Sequence, residues 1–334
     1  MNQKNEHYFS KIIITFIIAL ILAKMANIYN FRKNHFNIDI NTNKINIITP
    51  YNDDQPYHPK VVAFKENWHG YRYWIAYTPY KNANELYENP VINASNDKIN
   101  WDTPVGLINP LDVPKVSDKK HYNSDTHLLY NPDTDSLEVF WRYVDDELNR
   151  VIIYKSTSHD GITWSNKEEF LVSDNRKNRD YVSPAIIYEN GKYLIWYVDK
   201  KSVYYFEQKG EVISNPVKLD IKYKEKLYTW HIDVVKNNNK YEMIMVAYYE
   251  NQKRNKMDLY YTSSSDNQDW TVPINILRPS TKASTWDNEG LYRSALLIEN
   301  NKYYIFYSGH NKEYDVGIGL VCGDSIKKLK NCNN

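Results

Sequence analysis

The chain has 334 residues with 42 Lys and Arg against 41 Asp and Glu, a formal net charge of +1, so it lacks the basic field that holds nucleic acid by its phosphates. A hydrophobic content of 42% beside 25% charged residues excludes a wholly disordered chain and a multi-spanning membrane protein. The unusual quantity is aromatic: 31 Tyr, 9 Trp and 9 Phe, or 15% of the chain, which suits β-strands and surfaces that stack on sugar rings.

Polar residues Met1 to Lys11 precede an apolar run from Ile12 to Ala23, closed by Lys24. The run is shorter than the ~20 residues of a comfortable spanning helix and has the length of a secretory h-region. Residues 1–26 therefore read as a signal peptide cut after Ala23 or as an uncleaved signal-anchor, with the bulk of the protein outside the cytoplasm. Ile21 is a poor residue two places before a cut, which keeps the anchor open, and a buried core helix is the third reading. No Cys follows the run, so a lipoprotein is excluded, and residues 27–44 read as a polar stalk.

From residue 45 onward the chain repeats. Five segments share a polar anchor, a short apolar strand, a turn and an aromatic-rich strand. They begin at His58-Pro59, Ser124-Asp125-Thr126-His127, Ser183-Pro184, His231-Ile232-Asp233 and Arg293-Ser294, and their second strands include Tyr71 to Tyr77, Leu137 to Tyr143 and Lys192 to Val198. Asn, Asp and Gly at the turns accept the positive φ of tight hairpins. The anchors recur about every 50 to 65 residues, the length of a propeller blade with its loops. A second repeat, S-x-D-x-x-x-W, starts at Ser95, Ser158 and Ser264; its Asp is expected to cap a turn and its Trp to fill space between blades. The expected fold is all-β, a single five-bladed β-propeller over 45–322 after a short N-terminal hydrophobic helix, with a β-sandwich as the alternative. Residues 323–334 read as a tail. Cys322 and Cys332 either close a small loop or stay unpaired, and neither has a metal-ligand spacing or a nearby His, so no metal and no cofactor are expected.

The anchors are the candidate site. Inner strands of a propeller line a central funnel, and polar groups opening strands built of Val, Ile and Leu converge on its axis. One such group per blade is readily a strand cap bonded to a loop backbone; one from every blade is not. The candidates are Asp125, His231 and Asp233 as catalytic groups, with His58, His127, Ser183, Trp230 and Arg293 around a substrate. Glu88 is a loop carboxylate that reads more readily as a solvated charge, and Arg142 either forks to substrate or pairs with a loop Asp such as Asp145.

Tyr57-His58-Pro59, Tyr122-Asn123-Ser124-Asp125, Ser183-Pro184, Trp230-His231-Ile232-Asp233 and Leu291-Tyr292-Arg293-Ser294 together resemble the five-bladed propeller glycosidases, the superfamily of arabinanases, xylosidases, invertase-type enzymes and neoagarobiose hydrolases. The resemblance is a pattern of repeats across nearly the whole domain. It implies glycoside hydrolysis of a poly- or oligosaccharide, with Asp125 in the place of the orienting Asp. His58 stands where the family has an Asp, and His231 with Asp233 where a blade-four Glu is usual; in the neoagarobiose-type branch a histidine takes the acid role. A noncatalytic carbohydrate-binding propeller and a sialidase-like hydrolase are the alternatives, the latter weakened because only two Arg stand near anchors.

Overall fold

The computed structural model describes residues 13–24, 42–223 and 226–332. Residues 13–24 form a helix with exposed side chains, and among the described residues no helix is long and apolar enough to cross a membrane. The expected cut after Ala23 falls within this helix, whereas residues 25–41, most of the expected stalk, lie outside the described residues.

Residues 42–223 and 226–332 form the expected five-bladed propeller. Blade one is Pro56–Trp68, Tyr71–Pro79 and Val91–Ser95, and blade two His121–Asn131, Ser136–Asp145, Arg150–Ser158 and Glu168–Ser173. Blade three opens with Val182–Glu189, Lys192–Asp199 and Ser202–Lys209, blade four with Leu227–Asn237, Lys240–Tyr249 and Asp258–Ser264, and blade five with Gly290–Glu299, Lys302–His310 and Val316–Gly323. The inner strands touch in ring order, the fifth returning to the first. Blade five ends with Lys330–Asn331, inside the segment read as a tail, and Cys332 there is disulfide-bonded to Cys322 of the strand Val316–Gly323, their Cα atoms 5.8 Å apart.

Second strands are sandwiched by neighbouring blades, which is why their aromatic and branched side chains are buried on both faces. Trp74, Trp141 and Trp196 are the largest side chains fully removed from solvent. The S-x-D-x-x-x-W repeats behave as read. Asp97, Asp160 and Asp266 each accept two backbone N–H groups at 2.7–2.9 Å, from Ile99 and Asn100, Ile162 and Thr163, and Gln268 and Asp269. Each turn then packs on a neighbouring blade. Asn267 accepts from Trp196 Nε1 at 2.9 Å, and Gly161 (φ 75°) approaches Trp74 so closely that an added Cβ would lie 2.1 Å from its ring. The ring is closed by the entering chain: Ile45 N donates to Ile318 O of blade five and Asn46 N to Ile99 O of blade one, both at 2.8 Å, with Ile45 and Ile47 buried between them.

Every inner strand breaks register at its anchor: between Tyr57 and Lys60, Ser124 and His127, Val182 and Ala185, Thr229 and His231, and Tyr292 and Ser294. Such bulges bend a strand and re-aim a side chain. His58, Asp125 and Ser183 occupy the left-handed region at φ 52°, 50° and 53°. Pro59 and Pro184 follow two of them, at positions outside the ladder where a missing N–H is tolerated.

Below the bulges the axis is filled by a buried ion pair. Lys60 Nζ donates to Asp233 Oδ1 at 2.6 Å, and Asp233 Oδ2 accepts Leu296 N at 2.8 Å, joining blades one, four and five. Removing one member leaves the other as an unanswered buried charge. Asp233→Ala is expected to lower unfolding free energy by about 3–5 kcal/mol, measured by denaturant titration, and the Lys60→Met, Asp233→Leu double variant by clearly less.

Candidate functional site

The bulges place a cavity of about 400 Å³ at one mouth of the funnel, with His58, Glu88, Asp125, Arg142, Trp230 and His231 among its lining. These are six of the ten residues expected from the sequence. The other four lie deeper or to the side. His127 Nε2 is 2.8 Å from Ile186 O, Ser183 Oγ bridges the N and O of Ile232 at 3.0 Å, and Arg293 Nη2 donates to Pro184 O at 2.8 Å. Asp233, expected to be catalytic, has both oxygens occupied in the ion pair below. It shares the axial face with His231 because strand side chains repeat every second residue, but it sits one layer lower.

At the centre are His58, Asp125 and His231, from blades one, two and four, all 3% exposed. One ligand atom from each lies within 4.8 Å of the others. His231 Nδ1 is 3.3 Å and Arg293 Nη1 3.7 Å from Asp125 Oδ1. Yet His58 Nε2, both His231 nitrogens and Asp125 Oδ1 have no directed hydrogen bond among the described residues. His58 is positioned from its other side, with Nδ1 2.9 Å from Thr78 Oγ1 and 3.6 Å from Glu88 Oε2. Glu88 is not the solvated loop charge that its context suggested: it follows a short 3-10 turn, Glu85–Tyr87, and is 8% exposed.

Burial sets the protonation states. It lowers the His58 pKa to about 3 and holds His231 below its usual value, so both imidazoles are neutral at pH 7 and His231 is not the resting proton donor. Burial alone would raise Asp125, but its cationic neighbours hold the carboxyl below the usual range; with the imidazoles neutral, Arg293 is the standing cation. Burial, then Asp125 and Glu85, push Glu88 well above the ordinary carboxylate range. Arg142 is committed elsewhere, donating through Nε to Asp180 O at 2.8 Å and pairing with the Asp180 carboxylate, where Asp145 was the expected partner.

The donor set fits a divalent first-row cation. Two neutral imidazoles and one carboxylate are common ligands of such an ion, and here one atom of each lies within 4.8 Å of the others. Sequence reading pointed to no metal because its argument rested on the cysteines; these ligands come from three blades and have no local spacing. Also missed were Tyr292, whose ring centroid is 4.4 Å from that of His231, and Arg254, stacked on Trp230. Tyr292 stood inside a repeat motif, whereas Arg254 lies in a loop with no signal beyond its charge. A second recess of about 580 Å³, lined by Trp164, Asp112 and Lys167 on blade two, is larger but has an internal ion pair at its wall and no such donor cluster.

No family model matches the chain. It is 27% identical over 298 residues to an A type blood N-acetyl-α-D-galactosamine deacetylase from Flavonifractor plautii, a match covering 74% of this chain and 38% of that protein's length. Among solved structures, an N-acetylgalactosamine deacetylase from F. plautii in complex with blood group B trisaccharide superposes with a TM-score of 0.73 at 22% identity, covering 84% of this chain and 94% of that one. A thermostable family-43 glycoside hydrolase gives 0.60 at 12% identity, covering 87% and 96%. The likeness to five-bladed propeller glycoside hydrolases is thus one of fold.

Buried neutral histidines give stability a definite pH dependence. Unfolded His58 binds its proton near 6.5 and the folded residue only near 3, so within that window the unfolded state holds more protons and stability falls as pH falls. The full effect of this one group is roughly 5 kcal/mol, and His127 and His231 shift in the same direction. Glu88, shifted upward, binds its proton more tightly when folded and opposes this, so in thermal melts from pH 8 to 4 the acid limb should flatten in His58→Gln and steepen in Glu88→Gln.

Proposed function

We propose that this chain is a carbohydrate-acting hydrolase that removes the acetyl group from an N-acetylated amino sugar of a glycan. The observation that carries this reading is the buried His58, Asp125 and His231 cluster with its unanswered donor atoms. Those three side chains would hold a divalent cation. When bound, such an ion polarises a carbonyl and lowers the pKa of a coordinated water. The chain's own groups do the rest. Glu88, a carboxyl of raised proton affinity, is the general acid–base group: its ionised form takes a proton from the attacking water and returns it to the departing amine. Arg293 keeps Asp125 ionised from below, and the Trp230 and Tyr292 rings, joined by a 3.1 Å hydrogen bond from Trp230 Nε1 to Tyr292 OH, offer apolar faces to a sugar. The deacetylase similarity across most of this chain supports the reading.

The glycoside hydrolase reading is the second. What favours it is the opposite displacement of two carboxyl groups in one pocket, Glu88 upward as an acid and Asp125 downward as a base or nucleophile. The products separate the two. Incubation with an N-acetylgalactosamine-terminated oligosaccharide should release acetate and leave the glycosidic bond intact, whereas release of reducing sugar without acetate would establish the second reading. Dialysis against a chelator should abolish acetate release, and a divalent salt should restore it. Asp125→Asn and His231→Ala should each lower kcat/KM on the order of 10²-fold or more, and Glu88→Gln should lower kcat similarly while bound metal, measured by elemental analysis, is retained.

We also place the propeller outside the cytoplasm, secreted or held to the membrane by its N-terminal segment. The short apolar run flanked by Lys11 and Lys24 and the Cys322–Cys332 disulfide support this. A reporter fused after Asn334 should be active only outside the cytoplasm; cytoplasmic activity would overturn the orientation.

A further inference from the structure

We infer that the glycan recognised at this site carries an anionic substituent, a carboxylate or a sulfate ester, and that Arg254 is the specificity-determining residue that binds it. The inference rests on the proposed carbohydrate site and adds the class of sugar it takes.

Arg254 lies in the exposed loop between Lys240–Tyr249 and Asp258–Ser264 of blade four and lines the mouth of the cavity. Its guanidinium carbon sits 4.4 Å from the centre of the Trp230 ring. Stacking on an aromatic face fixes the plane of a guanidinium and leaves its N–H edge free to fork to an oxyanion. Among the described residues Arg254 has no carboxylate partner, because the acids on that side are committed to other cations. Glu250 pairs with Lys226 at 3.0 Å, Asp258 with Arg278 at 3.2 Å and Glu289 with Lys256 at 3.5 Å. The other pocket arginines differ in this respect, since Arg142 and Arg176 both pair with Asp180.

The mouth is also polarised. Glu85 stands on the blade-one side and Arg254 on the blade-four side, beside Trp230 and His231. An anion is repelled from the first and drawn to the second, so one charged substituent fixes the orientation of a sugar whose ring faces Trp230 and Tyr292. Lys119 is a second rim cation without an ion pair among the described residues, but no aromatic ring stacks on it.

The test is calorimetric binding to the full chain at fixed ionic strength, with three N-acetylhexosamine disaccharides: one bearing a uronic acid, one a sulfate ester, one neutral. At least one anionic probe should bind on the order of ten-fold more tightly than the neutral one, and which of the two does so identifies the anion. Arg254→Ala should erase the preference without lowering Tm, since the residue is exposed; Arg254→Lys should keep part of it, and Lys119→Met nearly all. Equal binding of the three probes, or equal losses in the Arg254→Ala and Lys119→Met variants, would overturn the inference. An Arg254-dependent preference without acetate release from any probe would uphold it while refuting deacetylation.

Discussion

The break in register near the top of each inner strand is the constraint on which the site depends. A regular strand would keep its ladder and turn every second side chain toward the axis at even depth. The bulges instead lift His58 and Asp125 into one plane with His231. Left-handed backbone at a non-glycine residue costs about 1–3 kcal/mol, and three anchors carry it. That cost is met across blade boundaries. His58 N donates to Ser308 Oγ of blade five, Thr126 Oγ1 to His58 O, and Ser183 Oγ holds Ile232 of blade four. The site geometry is therefore a property of the closed ring and of no single blade.

Electrostatics follow from depth. The three central groups are almost wholly buried, so burial outweighs the attraction of Asp125 for a proton on either imidazole. A protonated histidine would have satisfied Asp125 cheaply in a wetter site. Here the carboxylate relies on Arg293 from beneath, and each neutral imidazole keeps one lone-pair nitrogen. A cation answers three such groups at once, which a proton on one of them does not.

Much of this was legible in the sequence. Blade count, the turn-capping Asp97, Asp160 and Asp266, and the anchors follow from spacing and turn chemistry, because hairpins and their caps are local. Depth along the axis is not local. Asp233 follows His231 by one strand period, and His127 follows Asp125 likewise, so both point inward; nothing in the sequence marks where solvent stops. Glu88 read as a loop charge because its burial depends on the short turn before it and on Tyr80 and Tyr292 packing nearby. Arg142 found Asp180, on the connection to blade three, in preference to its own blade's Asp145. Each miss is a distance across blades, which no periodicity encodes.

Ring closure has a consequence for the order of events in folding. Lys44 bridges Gly319, and Thr42 bonds to Tyr307 across 265 positions of chain. Blades two to five each pack on the blade before them in sequence, so they can accrue as the chain is made. The seam cannot. Ile45 and Ile47, made first, find their partners in blade five only when nearly the whole domain exists. Until then an apolar strand and the open edge of blade five stay available to other chains, and a propeller caught at that stage is one edge short of self-sufficient. The last seam to be sewn is therefore where a holding factor would bind, and where two copies released too early would exchange their opening strands.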